Sequence, residues 1–207
     1  MLLGPPASGK GTQAELIQNQ FGIPTTSTGA ILRKQAKERT PLGLEAEQII
    51  SKGGLAPDSL VMQVVESWLA THSASFVFDG FPRTIDQAKT FDEILQNRQV
   101  PLDLAIALEV SVDTIRTRMA LRLVCANCGK IVSMGRHVQS SHDPCPNCGG
   151  PLEKRSDDNN EALERRLEAY WEKTVPVYKY YGSRLVEVEA ARDAEVVFAD
   201  IARLIAG

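Results

Sequence analysis

The chain has 207 residues and a formal net charge of -3, so it lacks the excess of cations with which proteins neutralise nucleic-acid phosphates. Hydrophobic residues make up 43% of it and charged residues 24%, which is typical of a globular protein with one main core. No stretch offers the roughly 20 apolar residues of a membrane helix, and the first residues lack the pattern of a signal peptide. We therefore expect a cytoplasmic protein that binds neither nucleic acid nor membranes.

Short apolar runs alternate along the chain with longer amphipathic segments. After the apolar start at residues 1–3, strands are predicted at 76–78, 104–108 and 185–188. Helices are predicted at 9–19, 57–70, 84–97, 112–123, 159–180 and 194–205. This alternation is typical of an α/β fold in which helices cover both faces of a parallel sheet and form three layers. Residues 125–155 are instead rich in Gly, Pro, Ser, Asn and Cys, and we expect them to bury little apolar surface.

A glycine-rich loop follows the apolar start and precedes the first predicted helix. From Gly4 to Lys10 it matches the pattern G-x-x-x-x-G-K, which surrounds nucleotide phosphates. Glycines let backbone N–H groups turn toward an anion, the helix N-terminus adds partial positive charge, and the lysine adds a full charge. A chance glycine-rich turn is the alternative, but the position between apolar run and helix favours a phosphate loop. The predicted ATP contacts in this loop are Ala7, Ser8, Gly9, Lys10, Gly11 and Thr12.

Three motifs carry a resemblance to a known family. They are Gly-Lys-Gly-Thr-Gln at residues 9–13, Ser-Thr-Gly-Ala-Ile-Leu-Arg at 27–33, and Asp-Gly-Phe-Pro-Arg-Thr at 79–84 followed by Gln87. With them the sequence resembles the adenylate kinases, nucleoside-monophosphate kinases of the bacterial type with a zinc-binding lid, over nearly its whole length. The resemblance implies a P-loop NTPase fold and phosphoryl transfer from Mg·ATP to AMP. The chain departs from the family at Ala7 and at Ala30, where the family usually has an aspartate that helps to order the waters around magnesium.

The resemblance also implies an acceptor site for AMP. Thr28 and Gln87 would contact adenine and favour it over uracil or cytosine, while Arg33 and Arg83 would bind the phosphate. Asp79, at the end of a predicted strand, would hold Mg²⁺ through water. Considered alone, Thr28 would be a helix N-cap. The implied substrate-binding residues are Thr28, Arg33, Leu55, Ala56, Gly80, Arg83, Gln87, Arg155 and Arg166.

Phosphoryl transfer spreads negative charge over the migrating group, so catalysis rests on positioning and on cations rather than on a nucleophilic side chain. Arg118 and Arg122 lie four residues apart near the end of a predicted helix, which would place them on one face. Arg165 and Arg166 point about 100° apart, and the resemblance assigns the role to Arg166. The implied catalytic residues are Lys10, Arg83, Arg118, Arg122, Arg155 and Arg166.

Two acidic residues, Asp157 and Asp158, precede the helix predicted from residue 159. Asp158 and Glu161 have the spacing of a capping arrangement at the start of that helix. The resemblance instead ties both aspartates to closure of the lid. Both interpretations stay open for Asp158 from the sequence.

The cysteines form two C-x-x-C pairs that are 16 residues apart, and each pair is followed by Gly. This spacing is typical of a tetrahedral Zn²⁺ site with four thiolates. Four protein ligands leave no open coordination position, so the zinc is expected to be structural and to organise a segment with little apolar content. The predicted ligands are Cys125, Cys128, Cys145 and Cys148.

The remaining assignments also come from the resemblance to lids of this kind. Ile131 and Val132 would flank the ATP base and ribose, Arg122 would bind the ATP phosphates, and Arg192 would offer its backbone to adenine. The implied division of the chain is 1–26 core with the phosphate loop, 27–56 AMP-binding subdomain, 57–120 core, 121–158 zinc-binding lid and 159–207 core.

Two other functions remain open at this point. A kinase for another nucleoside monophosphate, or one that uses GTP as donor, would carry the same phosphate loop. A nucleic-acid-binding zinc ribbon with a regulatory nucleotide site would explain the cysteines, but residues 125–148 have no aromatic side chain on which bases could stack. We expect a monomer that acts on ATP and AMP.

Overall fold

The computed structural model describes residues 1–72, 75–155 and 157–207. Its strands are, in chain order, β1 Leu2–Leu3, β2 Thr25–Thr26, β3 Val77–Phe78, β4 Ala105–Glu109, β5 Arg122–Cys125, β6 Ile131–Ser133, β7 Leu152–Glu153 and β8 Leu185–Glu189. Its α-helices are α1 Lys10–Phe21, α2 Thr28–Lys37, α3 Pro41–Ile50, α4 Asp58–Leu69, α5 Ile85–Asn97, α6 Val112–Leu121, α7 Asn160–Ala169, α8 Val175–Tyr181 and α9 Ala194–Ala206. A π-helical turn, Tyr170–Thr174, joins α7 to α8, and a 3₁₀ turn, Gly182–Arg184, precedes β8.

The main sheet is parallel, and its strand order is β2-β3-β1-β4-β8. The register pairs Leu2 with Ile106 and Ile106 with Val186, β2 pairs with β3, and a bridge between Leu2 and Asp79 joins β3 to β1. Since these strands run in the same direction, their carboxyl ends meet at one edge, where open α/β sheets bind ligands. The prediction of an α/β fold with a parallel sheet is confirmed.

Apolar clusters lie on both faces of the sheet because successive side chains of β4 point to opposite sides. Ala107 contributes to a cluster with Phe91 of α5 and with residues of α4 and α8. Ile106 contributes to a second cluster with Ile17 of α1 and Ile201 of α9. Helices therefore cover each face, as the alternating pattern predicted. In the part of the chain that the structure describes, no helix is long and apolar enough to cross a membrane.

Helix α6 ends at Leu121, whereas the sequence predicted a helix that continues to Leu123. Arg122 has an extended backbone, with ψ 134°, and it opens β5, which pairs antiparallel with β6. The prediction that Arg118 and Arg122 share one helical face is therefore wrong. Burial of Leu123, which is 1% exposed in the small cluster of the cysteine-rich segment, favours the strand over another helical turn.

The helix predicted at 159–180 is helical throughout, but its α-helical hydrogen bonding is interrupted midway. Helix α7 ends at Ala169, the π-helical turn follows, and α8 starts with Pro176 in its first turn. Proline has no N–H and cannot complete an α-helical hydrogen bond to the preceding turn, so a uniform helix is interrupted there. The break also positions Thr174, whose hydroxyl donates to the carbonyl of Arg83 at 3.1 Å.

The bounds of the helical hairpin α2–α3 and the strands of the cysteine-rich segment were not predicted. In that segment β5 pairs antiparallel with both β6 and β7. Leu123, Val132 and Val138 form a small buried cluster against it. Strand pairing gathers these few apolar side chains, and so small a cluster agrees with the expectation that residues 125–155 bury little apolar surface.

One residue just after α5 has a left-handed backbone conformation, and substitution there tests how much stability that conformation costs. Gln99 has φ 56°, a conformation that glycine adopts without the steric cost of a Cβ. We expect Gln99→Gly to raise the free energy of unfolding by up to about 1 kcal/mol. The matched change Gln96→Gly, also exposed but inside α5, should lower it by roughly 0.5–1 kcal/mol. Urea unfolding measures both, and equal destabilisation by the two changes would contradict the prediction.

Candidate active site

A cleft of about 570 Å³ lies at the carboxyl edge of the sheet. The phosphate loop forms its floor, and α2, the residues after β3 and the cysteine-rich segment form its walls. Of the residues predicted for the site, its lining includes Ala7, Ser8, Gly9, Lys10, Gly11, Thr12, Arg33, Leu55, Asp79, Gly80, Arg83, Arg118, Arg122, Ile131, Val132, Arg155, Arg166 and Arg192. The sequence therefore identified side chains that are distant along the chain but meet in space.

The phosphate loop is held open around its own lysine. Lys10 Nζ donates to the carbonyls of Gly4 at 2.9 Å and Pro5 at 2.7 Å. Gly4, with φ 139°, has no room for a side chain, because a Cβ there would lie 2.7 Å from a carbonyl oxygen of β4. Ala7 has φ 57°, so the departure from the family at this position places an alanine where glycine carries less strain. The loop thus presents its backbone toward the cleft at the start of α1.

Lys10 and Asp79 face each other across this loop. Burial lowers the pKa of Lys10 to about 7, although the Asp79 carboxylate opposes the shift. Burial likewise raises the pKa of Asp79, against the opposing pull of Lys10 and Arg83. A Cβ on Gly11 would lie 3.4 Å from Asp79 Oδ2, so the carboxylate reaches the loop as the sequence predicted. A bound anion would favour the charged ammonium, and a cation would favour the carboxylate.

Two carboxylates hold three guanidinium groups at the rim of the cleft. Arg122 forms a bidentate pair with Asp158, including an Nε–Oδ2 distance of 2.7 Å. Arg155 forms one with Asp157, at 2.9 and 2.6 Å. Arg166 donates to both carboxylates, at 3.1 and 3.2 Å. The arginine side chains are 10–17% exposed and the aspartates 5% or less, so these charges are largely removed from water.

The three arginines and two aspartates, called the arginine cluster here, carry a net positive charge. This excess shifts the pKa values of the groups in and beside the cluster. Burial alone would raise the pKa of Asp157, but Arg155 and Arg166 outweigh it and lower the value to about 2. Burial lowers the pKa of Arg166 to about 10, despite the two carboxylates. Burial and the nearby Arg155 lower the pKa of Arg33 to about 9. The cleft is therefore a site at which an added anion relieves repulsion among buried cations.

The sequence left open whether Asp158 caps the helix that follows it, and its contacts in the structure decide this point. The N-cap of α7 is Asn159, whose side chain accepts from the N–H of Ala162 at 2.8 Å. Asp158 binds Arg122 and Arg166 instead, and its side chain is fully buried. The capping interpretation of Asp158 is therefore wrong, because the neighbouring asparagine already caps the helix.

On the acceptor side, three predicted residues are buried beside the cleft and do not line it. Thr28 is 5% exposed, Gln87 is 2% exposed and Ala56 is 7% exposed. The amide of Gln87 is engaged within the protein, since Oε1 accepts from the N–H of Arg83 at 2.8 Å and Nε2 donates to Asp58 at 2.6 Å. Their contacts with AMP stay predictions. The N-cap of α2 is Ser27 and not Thr28, which is the first helical residue.

On the donor side, Arg118 joins two loops. Its guanidinium donates to the carbonyls of Ser8 at 3.1 Å and Ala190 at 2.7 Å. Gln13, which sequence reasoning missed, is 2% exposed and donates to the carbonyl of Ala194 at 2.9 Å. Both side chains fix residues 190–194 against the phosphate loop. The position of Gln13, immediately after the loop threonine, was the signal that could have identified it.

Arg192 and the β6 residues define the far end of the cleft. Arg192 pairs with Asp200 at 2.7 Å and donates to the carbonyl of Glu189 at 2.8 Å, so its side chain is held and its backbone borders the cleft. Ile131 is 45% exposed, whereas Val132 is 1% exposed and belongs to the small cluster of the segment. Ile131 is therefore the one of this pair with apolar surface free to meet a base.

The four cysteines converge on one point. The Sγ atoms of Cys125 and Cys148 are 3.4 Å apart, those of Cys128 and Cys145 are 3.7 Å apart, and all four lie within 4.8 Å of one another. Zinc–sulfur bonds of about 2.3 Å in a tetrahedron separate the sulfurs by roughly 3.8 Å. The set fits a structural Zn²⁺ site with no position left for substrate.

A phosphate loop that faces a second cationic pocket across one cleft defines a nucleotide kinase of the P-loop class. The family model described as adenylate kinase matches residues 2–186. The adenylate kinase of Pseudothermotoga lettingae is 41% identical, over 99% of this chain and 96% of the relative. Those of Clostridium tetani and Bacillus subtilis are 39% and 38% identical, over 99% and 100% of this chain and 97% of each relative. The chain belongs to the adenylate kinase family.

Removal of the metal tests the cysteine site. We expect one zinc per chain, and we expect a strong chelator to lower the thermal midpoint by about 2–4 °C for each kcal/mol of stability lost, because the segment's small apolar cluster cannot replace the metal. Cys128→Ser should reproduce the effect, while His142→Ala, an exposed change in the same segment, should keep the zinc. Elemental analysis and calorimetry measure these outcomes, and zinc loss in the histidine variant would contradict the assignment.

The lowered pKa of Asp157 predicts a pH-dependent contribution to stability. Since its folded-state pKa is about 2 and an unfolded aspartate titrates near 4, the carboxylate stabilises the fold above pH 4 by about 2 kcal/mol. This contribution is lost as pH falls through 2. Asp157→Asn should therefore be less stable than the wild type at pH 6, and the difference should shrink toward pH 2. Urea unfolding across this range measures the difference, and a constant gap would count against the prediction.

Proposed function

We propose that this chain catalyses reversible transfer of the γ-phosphoryl group of Mg·ATP to AMP, giving two ADP, and so helps to balance adenine nucleotides. The observation that carries the proposal is convergence: the phosphate loop and six arginines from separate parts of the chain border one cleft, namely Arg33, Arg83, Arg118, Arg122, Arg155 and Arg166. A migrating phosphoryl group requires this arrangement, because catalysis depends on cations and alignment. Membership of the adenylate kinase family supports AMP as the acceptor.

The donor triphosphate binds on the phosphate loop. Backbone N–H groups of residues 7–12 and the start of α1 surround the phosphates. Lys10 moves from the carbonyls that it now binds onto the β- and γ-phosphates, whose charge favours its ammonium form. Asp79 would hold, through water, the Mg²⁺ that comes with ATP, and this ion would neutralise phosphate charge. Ile131 flanks the base with its exposed side chain, Val132 borders the ribose through its backbone because its side chain is buried, and the backbone of Arg192 lies at the adenine edge.

The acceptor AMP binds between α2 and the residues after β3. Arg33 and Arg83 bind its phosphate, and the lowered pKa of both groups, caused first by burial, favours an anion beside them. Thr28 and Gln87 recognise adenine. Leu55, Ala56 and Gly80 complete the pocket. Because Thr28 and Gln87 are buried behind the cleft wall, their contact with the base requires a small shift of the subdomain that carries α2 and α3.

Transfer takes place between these two sites. An oxygen of the AMP phosphate attacks the γ-phosphorus in line, and the bond to the bridging oxygen of ADP breaks. Arg118 orders the loops around the donor, while Arg122, Arg155 and Arg166 stabilise the charge of the migrating group. Closure over both nucleotides excludes water, which would otherwise hydrolyse ATP. We propose that residues 1–26, 57–120 and 159–207 form the core, and that 27–56 and 121–158 move against it.

We also propose that the protein acts as a cytoplasmic monomer and binds neither nucleic acid nor membranes. The four converging cysteines suit a zinc site, which requires a compartment in which thiols stay reduced. The net charge of -3 supports substrates that are small phosphates and not polyanions. One chain carries the phosphate loop, the acceptor pocket and the arginine cluster together, so a second copy is not needed to complete the site.

The acceptor is tested by ADP formation from Mg·ATP with AMP, UMP, CMP and GMP offered separately, and by GTP in place of ATP. We expect turnover with AMP and ATP to exceed that with every other pair by at least about 100-fold, because recognition by hydrogen bonds discriminates strongly. Comparable turnover with UMP or CMP would contradict the assignment of Thr28 and Gln87 to adenine. No transfer by folded protein would contradict the kinase itself.

Two adjacent arginines provide a matched test of the catalytic cluster. Arg166 lies in the cleft between Asp157 and Asp158, whereas Arg165 is 49% exposed and pairs with Glu161. We expect Arg166→Met to lower kcat by about 10²–10³-fold, because it removes a cation at the migrating group. Arg165→Met should change kcat by less than about twofold. Steady-state kinetics with urea unfolding as a check of folding measures both, and similar losses would overturn the assignment.

A further inference from the structure

A lysine of the acceptor side contacts the cysteine-rich segment, which is called the zinc-binding segment from here on. Lys37, the last residue of α2, donates from Nζ to the carbonyl of Ala126 at 2.7 Å. Helix α2 lies in the subdomain proposed to hold AMP, and Ala126 lies in the segment proposed to close over ATP. This hydrogen bond therefore spans two parts of the chain that hold different substrates.

The acceptor of this hydrogen bond has a fixed position. Ala126 stands between Cys125 and Cys128, which converge with the other cysteines. Its own N–H donates to the carbonyl of Pro151 at 2.9 Å, and the N–H of Cys125 donates to the carbonyl of Lys130 at 2.9 Å. The carbonyl is thus presented by a constrained loop, and an ammonium donor makes the bond charge-assisted.

Other contacts attach the same segment to the core. Lys130 pairs with Glu15 of α1, and Arg136 pairs with Glu195 of α9 at 2.7 Å. Neither pair involves residues 27–56. When the segment lies against α1 and α9, its first cysteine loop comes within reach of α2. The bond from α2 would therefore be lost if either the segment or the subdomain moved away from the other.

We propose that Lys37 is a positioning residue that couples closure over ATP to closure over AMP, so that each nucleotide strengthens binding of the other. The inference rests on the proposed function. An interaction that forms only when both sites are closed contributes to neither single binding step, and it appears instead as a coupling free energy between the sites. The coupling must be reciprocal, which gives the experiment an internal check.

Calorimetry measures the coupling without turnover. The Kd of AMP is determined alone and with a saturating ATP analogue that has a methylene bridge between the β- and γ-phosphorus; the ratio is the coupling factor. We expect a factor of about fivefold in the wild type. Lys37→Met should bring it below about twofold while leaving each single Kd unchanged. The reverse titration, analogue with and without AMP, should give the same factor.

Two further variants separate the hydrogen bond from general charge. Lys34→Met removes an equal charge from the same helix, but that lysine is 77% exposed and pairs with Glu38 inside α2; it should keep the wild-type factor. Lys37→Arg retains a donor and should restore most of it. A wild-type factor in Lys37→Met, or an equal loss in Lys34→Met, would overturn the inference. A wild-type chain that binds neither nucleotide would remove the proposed function and the inference with it.

Discussion

The cleft depends on the pairing of buried guanidinium groups with two carboxylates. Arg122, Arg155 and Arg166 are all less than one-fifth exposed, and like charges at such separations repel strongly once water is excluded. Asp157 and Asp158 hold these groups in a fixed array and leave a surplus of positive charge. This surplus attracts anions to the cleft. The rest of the site is arranged around that surplus.

Burial also explains why the pKa of Lys10, in the phosphate loop, is lowered while the pKa of Asp79, which faces that loop, is raised. Burial disfavours the charged form of each, and neither has a partner that fully compensates it. A nucleotide bound with its metal in this cleft would supply the missing charges and so would stabilise the folded protein. Ligands that bind only the folded state stabilise it by mass action. We therefore regard the desolvated charges as a local cost to stability that substrate offsets.

Much of this could be predicted from sequence, for identifiable reasons. Glycine spacing defined the phosphate loop, alternation defined the sheet, and cysteine spacing defined the metal set, because each is a local pattern with one common structural meaning. The end of α6 could not be predicted, since the alternative to another helical turn was burial of Leu123 against residues distant in sequence. Gln87 was identified by its motif, but the hydrogen bonds that now occupy its amide depend on Asp58, 29 residues away. Where a side chain lies relative to the cleft depends on tertiary contacts between residues that are distant in sequence, so a local motif does not predict it.

The extended backbone at Arg122 explains both why α6 ends earlier than predicted and how Arg122 joins the arginine cluster. Arg122 opens the excursion of the chain into the zinc-binding segment, and Asp158 lies where the chain returns to α7. Their bidentate pair therefore joins the outgoing chain to the returning chain at the base of the segment. Had α6 continued through Arg122, the backbone could not have paired with β6, and the guanidinium would have left Asp158 buried without this partner. The extended backbone at Arg122 thus gives the segment its paired base and gives the cleft one of its cations.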